Sequence, residues 1–129
     1  MALVVLDASV FIAFRSRDDA HHEGALAAMT TFGEEDLVLP ASAYSEALVE
    51  PSQRGGRVLA RAKALIAELP IRVQPIDAEI AERAAVLRGK QRVRLPDALV
   101  LATGDVLGAE VVLTADQRWR KLSTRVQVI

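Results

Sequence analysis

The chain has no cysteine among its 129 residues, which removes disulfides, thiolate metal sites and cysteine nucleophiles together. Aromatic residues make up only 4%, so the core must be aliphatic and no platform for stacking bases can be assembled. An excess of one charge is missing too. Lys and Arg number 16 against 17 Asp and Glu, a net charge of −1, and no basic field announces a nucleic-acid partner. Histidine is confined to His21 and His22, adjacent residues that face different sides of a helix and cannot readily chelate one ion. Zinc is therefore disfavoured. No apolar run is long enough to span a bilayer. The stretch from Ala2 to Phe14 is broken by Asp7 and lacks a preceding basic segment, so neither a membrane anchor nor an export signal is expected. The expectation is a protein of the reducing cytoplasm.

What is present is aliphatic, with 51% hydrophobic residues in a length that suits one domain over residues 1–129. A chain of this size buries roughly two-thirds of the surface its unfolded form exposes. Strand-like runs occur at 3–6, 37–39, 71–74, 111–113 and 126–129. Between them apolar residues recur at helical spacing: His22, Ala25, Leu26, Met29 and Phe32; then Val58, Leu59, Ala62, Leu65, Ile66 and Leu69; then Ile80, Ala84 and Leu87 behind the expected N-cap Asp77. Gly55-Gly56 reads as a turn. Residues Ala98 to Leu107 are apolar nearly all round, which predicts a buried helix. Alternation of this kind indicates an α/β fold with a mostly parallel sheet of short strands and helices on both faces. Strand order is not readable from it.

Four acids fall where such a sheet collects side chains, outside the carboxyl ends of its strands. Asp7 closes the first strand and Asp116 follows the fourth. Asp97 opens a helix behind Pro96, and Glu46 lies early in the helix after the second strand. Each has an ordinary structural explanation. Asp7 could form a turn with Ser9, or Ser9 could cap the next helix. Asp97 could answer a helix dipole, Asp116 could cap residues 117–122, and Glu46 sits where a solvated Glu belongs. Together they imply more. Two carboxylates about 4 Å apart repel by roughly 4 kcal/mol at an effective dielectric of about 20. Mg²⁺ or Mn²⁺, which prefer hard oxygen ligands, relieve that repulsion. Such a site suits phosphodiester hydrolysis by a metal-activated water, without a protein nucleophile.

The phrases Val5-Leu6-Asp7-Ala8-Ser9-Val10, Ala43-Tyr44-Ser45-Glu46, Leu95-Pro96-Asp97-Ala98-Leu99 and Leu113-Thr114-Ala115-Asp116-Gln117-Arg118-Trp119 resemble the motifs of PIN-domain ribonucleases. The likeness runs from residue 3 to 129 and is greatest for the VapC-type toxins of toxin–antitoxin pairs. It implies a three-layer α/β/α PIN-like domain and a Mg²⁺- or Mn²⁺-dependent endoribonuclease. It also implies Asp7, Glu46, Asp97 and Asp116 as catalytic acids and metal ligands, with Ser9 and Thr114 as hydroxyls that orient them. A homodimer and a cognate antitoxin that obstructs the site are further implications, with helices of the N-terminal half forming the antitoxin groove. Trp119 stands where Phe is more usual, and Gly104-Asp105 is expected to interrupt a helix that relatives keep regular.

Arg outnumbers Lys by 13 to 3, either as phosphate clamps or through codon bias. Arg88, Lys90, Arg92 and Arg94 crowd before Asp97, and Arg118, Arg120 and Lys121 follow Asp116. These are candidate RNA contacts or an ordinary solvated surface, with Arg118 the strongest of the second group. Four rival readings remain, one of them a binding protein with this fold but no turnover. A second is a PIN nuclease of RNA processing rather than a toxin. Another is a phosphoacceptor receiver-like signalling module, which would want an acidic pair at Asp7 and a Lys after the last strand. The fourth is a small phosphatase, which would want an Asp where Ser9 stands.

Overall fold

The computed structural model describes all of residues 1–129. The elements run β1 Leu3–Leu6, α1 Ala8–Arg15, α2 His22–Thr31, β2 Asp36–Pro40, α3 Ala41–Gln53 and α4 Gly56–Glu68. They continue with β3 Ile71–Gln74, α5 Ala78–Lys90, α6 Leu95–Leu107, β4 Val111–Thr114, a short 3₁₀ helix Gln117–Lys121 and β5 Val126–Val128. All five expected strands form. β2 is longer than expected by a residue at each end, and β5 stops one residue short.

The strands make one sheet in the order β3-β2-β1-β4-β5, parallel throughout. Val4 lies opposite both Leu37 and Val111, and Leu6 opposite Leu113. Val4, Val5, Leu6, Val38, Leu39, Val112 and Leu113 are wholly buried, the near-continuous apolar pattern of strands covered on both faces. From β1 to β3 the chain steps one way across the sheet, and from β3 to β4 it returns past β1. With right-handed crossovers, that reversal carries α5 and α6 to the face opposite α1–α4. The crevice outside the carboxyl ends of β1 and β4 is the switch point where such sheets bind ligands.

Local rules account for most helix boundaries. The Asp77 carboxylate accepts from the Ile80 N–H at 2.9 Å and caps α5. Gly55, at φ 113°, makes the turn into α4. α5 buries Ile80, Ala84 and Leu87 as expected.

Two expectations change, for α2 and α6, and the stripe of α4, open between core and partner surface, lies mostly outside the core. α2 buries Ala25 and Ala28 and leaves Leu26 38% exposed, because its small residues let it lie close to α1. α4 buries only Ile66, so most of its apolar stripe faces outward. α6 runs unbroken through Gly104 and Asp105 to Leu107. A Cβ on Gly104 would stand 2.6 Å from Val112 Cγ2, so this glycine lets α6 approach β4 and does not interrupt the helix. Asp105 is held by Arg83 at 2.9 Å and Arg125 at 3.3 Å, away from the acids at the switch point.

Candidate metal centre

Asp7 is the anchor. Its N–H donates to the Leu113 carbonyl at 2.9 Å, continuing the β1–β4 pairing. Its Oδ1 accepts from the Ala8 N–H at 2.9 Å, which makes Asp7 itself the cap of α1. Ser9 therefore is not the cap. Its hydroxyl donates to Asp7 Oδ2 at 2.8 Å and accepts from the Ala115 N–H at 3.0 Å. Thr114, fully buried, mirrors it: Oγ1 donates to Asp7 Oδ2 at 2.9 Å and accepts from the Asp116 N–H at 3.1 Å. Two hydroxyls thus tie the loop after β4 to the carboxylate at the end of β1. These contacts fix the Asp7 rotamer.

Those donors favour the charged carboxylate, yet Asp7 is pushed up to about 6 from an ordinary 3.8. Burial is the main cause, and the fields of Glu46 and Asp97 add to it. A side chain only 6% exposed cannot be solvated by water, and the hydroxyls offset this in part. Asp7, just after β1, thus feels the charges of acids on α3 and α6.

The other three acids are placed differently. Glu46 stands exposed on α3. Asp97, in the first turn of α6, is met by Arg94 Nε at 3.4 Å. Asp116 caps the 3₁₀ helix through the Arg118 N–H at 2.9 Å. It also takes the Arg118 side chain on both oxygens, Nε at 3.0 and 3.2 Å and Nη2 at 2.7 Å. This guanidinium holds the Asp116 carboxyl below its ordinary value, and the carboxylate raises Arg118 in turn. No three carboxylate or imidazole groups are drawn into a cluster that would hold a metal ion as they stand. Asp97 and Asp116 are turned onto arginines, while Glu46 extends toward solvent.

The donor set nevertheless suits a hard divalent cation. It consists of carboxylates with braced hydroxyls behind them, without sulfur or imidazole. The Asp7 carboxyl is raised first by burial and then by the charges of Glu46 and Asp97, and a cation there would lower it.

The basic cluster divides. Arg88 is occupied with the Val93 carbonyl at 2.7 Å, and Lys90 ends α5 in solvent. Arg92, Arg94 and Arg118 line a depression of about 120 Å³ with Asp97, Asp116 and Trp119. Trp119 is a packing residue, 2% exposed. His21 is exposed and His22 donates through its ring to the Ala13 carbonyl at 2.8 Å, so neither approaches the acids.

A larger groove of about 530 Å³ runs between α1, α3 and α4, from Ile12 and Arg15 past Glu46 and Glu50 to Val58 and Leu65. Arg15 lies over the Phe11 ring and 4.0 Å from Glu50, with Nη1 buried and without a partner. Its one sequence signal was a basic residue in the last turn of α1. The pairing roles of Arg94 and Arg118 were also missed; Arg94 stands three residues before Asp97, a spacing of local ion pairs, whereas Arg118, two residues after Asp116, carries no such signal.

The model of the PIN domain family matches residues 4–124. Among curated proteins none matches the sequence significantly. Several solved structures share the fold. A toxin–antitoxin complex from Klebsiella pneumoniae is 20% identical at TM-score 0.80, over 97% of this chain and 96% of that one. VapC20 of Mycobacterium tuberculosis, a toxin that cleaves the sarcin–ricin loop, is 20% identical at TM-score 0.73, over 92% and 93%. DNA-bound VapBC from Salmonella typhimurium is 15% identical at TM-score 0.77, over 100% and 98%.

Proposed function

The chain belongs to the PIN domain family, and on that premise we propose that it is a Mg²⁺- or Mn²⁺-dependent endoribonuclease. It acts in the cytoplasm as the toxin of a toxin–antitoxin pair, inhibited by a cognate antitoxin protein. The observation that supports this reading is the buried Asp7 carboxylate at the carboxyl end of β1, braced by the Ser9 and Thr114 hydroxyls and within the field of Glu46 and Asp97.

Asp7, Glu46, Asp97 and Asp116 would hold the cation, Ser9 and Thr114 keeping Asp7 in place. When bound, the cation supplies positive charge that acidifies water and neutralises a phosphate oxygen. Arg92, Arg94 and Arg118 face the same depression and hold the RNA backbone by its phosphates, which makes binding salt-dependent. Water adds to phosphorus in line, the phosphorus–oxygen ester bond opposite it breaks, and a phosphate end and a hydroxyl end result. With few aromatics at hand, selection rests on RNA shape and backbone.

The reading is tested by incubating total RNA with the purified protein. Discrete, mappable cleavage with Mn²⁺, lost in EDTA and restored by adding Mn²⁺ again, is the expected outcome. Intact RNA under all conditions, or equal cleavage in EDTA, would refute it.

The toxin assignment draws support from the likeness to toxin–antitoxin complexes and from a surface that suits a partner. α4 leaves Val58, Leu59, Ala62 and Leu65 only partly covered, beside the groove that reaches Glu46. A helix laid there would bury the apolar stripe and cover Glu46. Leu65, 36% exposed, can carry a charge without disturbing the core. Leu65→Glu should weaken inhibition by the antitoxin about tenfold or more, with cleavage by the free protein within about twofold of wild type. Titrating the inhibitor against a fluorogenic RNA measures both. Unchanged inhibition would place the partner elsewhere.

A further inference from the structure

We propose that Arg118, with Arg94 beside it, is a resident counter-ion that leaves its carboxylate for an RNA phosphate as the divalent cation binds, so that cation and RNA bind cooperatively. This rests on the nuclease reading and concerns how its two ligands are coupled.

The geometry of the two ion pairs carries it. Arg118 covers both oxygens of Asp116, with contacts at 2.7, 3.0 and 3.2 Å. Arg94 reaches Asp97 Oδ2 at 3.4 Å. In each pair the arginine is on the solvent side. Arg118 and Arg94 side chains are 84% and 73% exposed, whereas Asp116 and Asp97 are 24% and 14% exposed. A cation approaching Asp116 from solvent meets the guanidinium first. The two positive groups cannot share the same oxygens without repulsion. An exposed pair of this kind is cheap to open.

The displaced guanidinium keeps its planar fork, which fits a phosphate as well as a carboxylate. It is displaced within the depression it shares with Arg92 and Arg94, where the RNA backbone would run. Asp116 does not drift when its partner leaves, because Oδ1 still accepts from the Arg118 backbone N–H at 2.9 Å. Each ligand thus removes an obstacle for the other. The cation frees a phosphate clamp, and RNA draws the clamp off a metal ligand. Linkage makes the effect equal in both directions.

The test is calorimetric titration of Mn²⁺ into wild type and Arg118→Gln, with and without a short 2′-O-methyl RNA oligonucleotide verified as intact afterwards. In wild type the oligonucleotide should tighten Mn²⁺ binding about threefold to tenfold. Arg118→Gln should bind Mn²⁺ alone about threefold more tightly than wild type, since Asp116 is no longer covered. Its coupling should fall below about twofold. In EDTA the variant should bind the oligonucleotide more weakly, with a logarithmic salt slope shallower by about 0.7. The opposed changes, tighter metal and weaker RNA, are not those of a merely structural arginine. Mn²⁺ binding with the same affinity and coupling in both proteins would overturn the exchange alone. No Mn²⁺ binding to either would overturn both the exchange and the nuclease reading beneath it.

Discussion

Asp7→Asn should abolish Mn²⁺-dependent RNA cleavage, by about a thousandfold or more, while making the metal-free protein more stable at pH 7.5. Loss of activity is expected of any ligand in an all-carboxylate site. The gain in stability is the more specific claim. Asp7 titrates at about 6 in the folded chain against 3.8 for the ordinary group, so between those values the folded state binds more protons than the unfolded one. Stability from this group is complete below about pH 4 and is lost as pH rises through about 6. The difference is roughly 3 kcal/mol at 1.36 kcal/mol per unit, and the order of magnitude is usable because the side chain is only 6% exposed.

An asparagine carries no charge to desolvate and can still accept from the Ala8 N–H. Its amide must be accommodated by the Ser9 and Thr114 hydroxyls, which now have to act as acceptors, so a net gain of about 1–3 kcal/mol is expected. Urea denaturation from pH 4 to 8 measures it. The wild-type curve should fall across the window between 4 and 6, and the variant should be flatter. Asp116 does not confuse the comparison. Its pKa is depressed by Arg118, so its contribution is lost only as pH falls below about 4. A variant less stable than wild type at pH 7.5 would mean that the hydroxyl brace outweighs the desolvation of the charge.

Much of this arrangement was legible in the chain because its signals are local. β1, β2 and β4 announce themselves as short aliphatic runs, and period 3.6 marks α5. Asp77 caps where capping chemistry requires. Asp7 and Asp116 could be assigned to one edge because Asp7 directly follows β1 and Asp116 follows β4 with one residue between, and parallel strands present their carboxyl ends together. What could not be read depends on neighbours distant in sequence. Gly104 looks like a break until Val112 is found 2.6 Å from where its side chain would be. Leu26 satisfies the helical period, yet the buried positions of α2 are Ala25 and Ala28, because the spacing between packed helices is set by both partners. The unpartnered nitrogen of Arg15 arises where α1 meets α3 and α4, and no local pattern encodes that meeting. Arg94 and Arg118 were visible as charges, but the choice between phosphate and carboxylate is decided by the geometry of the site.

Mn²⁺ should stabilise the protein by an amount that grows with pH. A cation that binds only the folded state adds RT ln(1 + [L]/Kd), about 2.7 kcal/mol at a concentration one hundred times Kd. For a chain of this length that is a rise in Tm of about 10 °C. The Asp7 carboxylate must lose its proton to serve as a ligand. Its pKa of about 6 leaves it almost wholly ionised at pH 7.5 and about one-tenth ionised at pH 5. At pH 5 the apparent affinity is therefore about tenfold weaker, and the same Mn²⁺ concentration gives roughly 1.4 kcal/mol, or about 5 °C. Binding should also release about one proton at pH 5 and almost none at pH 7.5, which calorimetry in buffers of different ionisation enthalpy reads directly. Asp7→Asn should lose most of the Mn²⁺-induced rise at both pH values. A rise of equal size at pH 5 and pH 7.5, or one retained by Asp7→Asn, would show the ion bound at a site that does not include Asp7, and the acids at the switch point would then have to be explained without a metal.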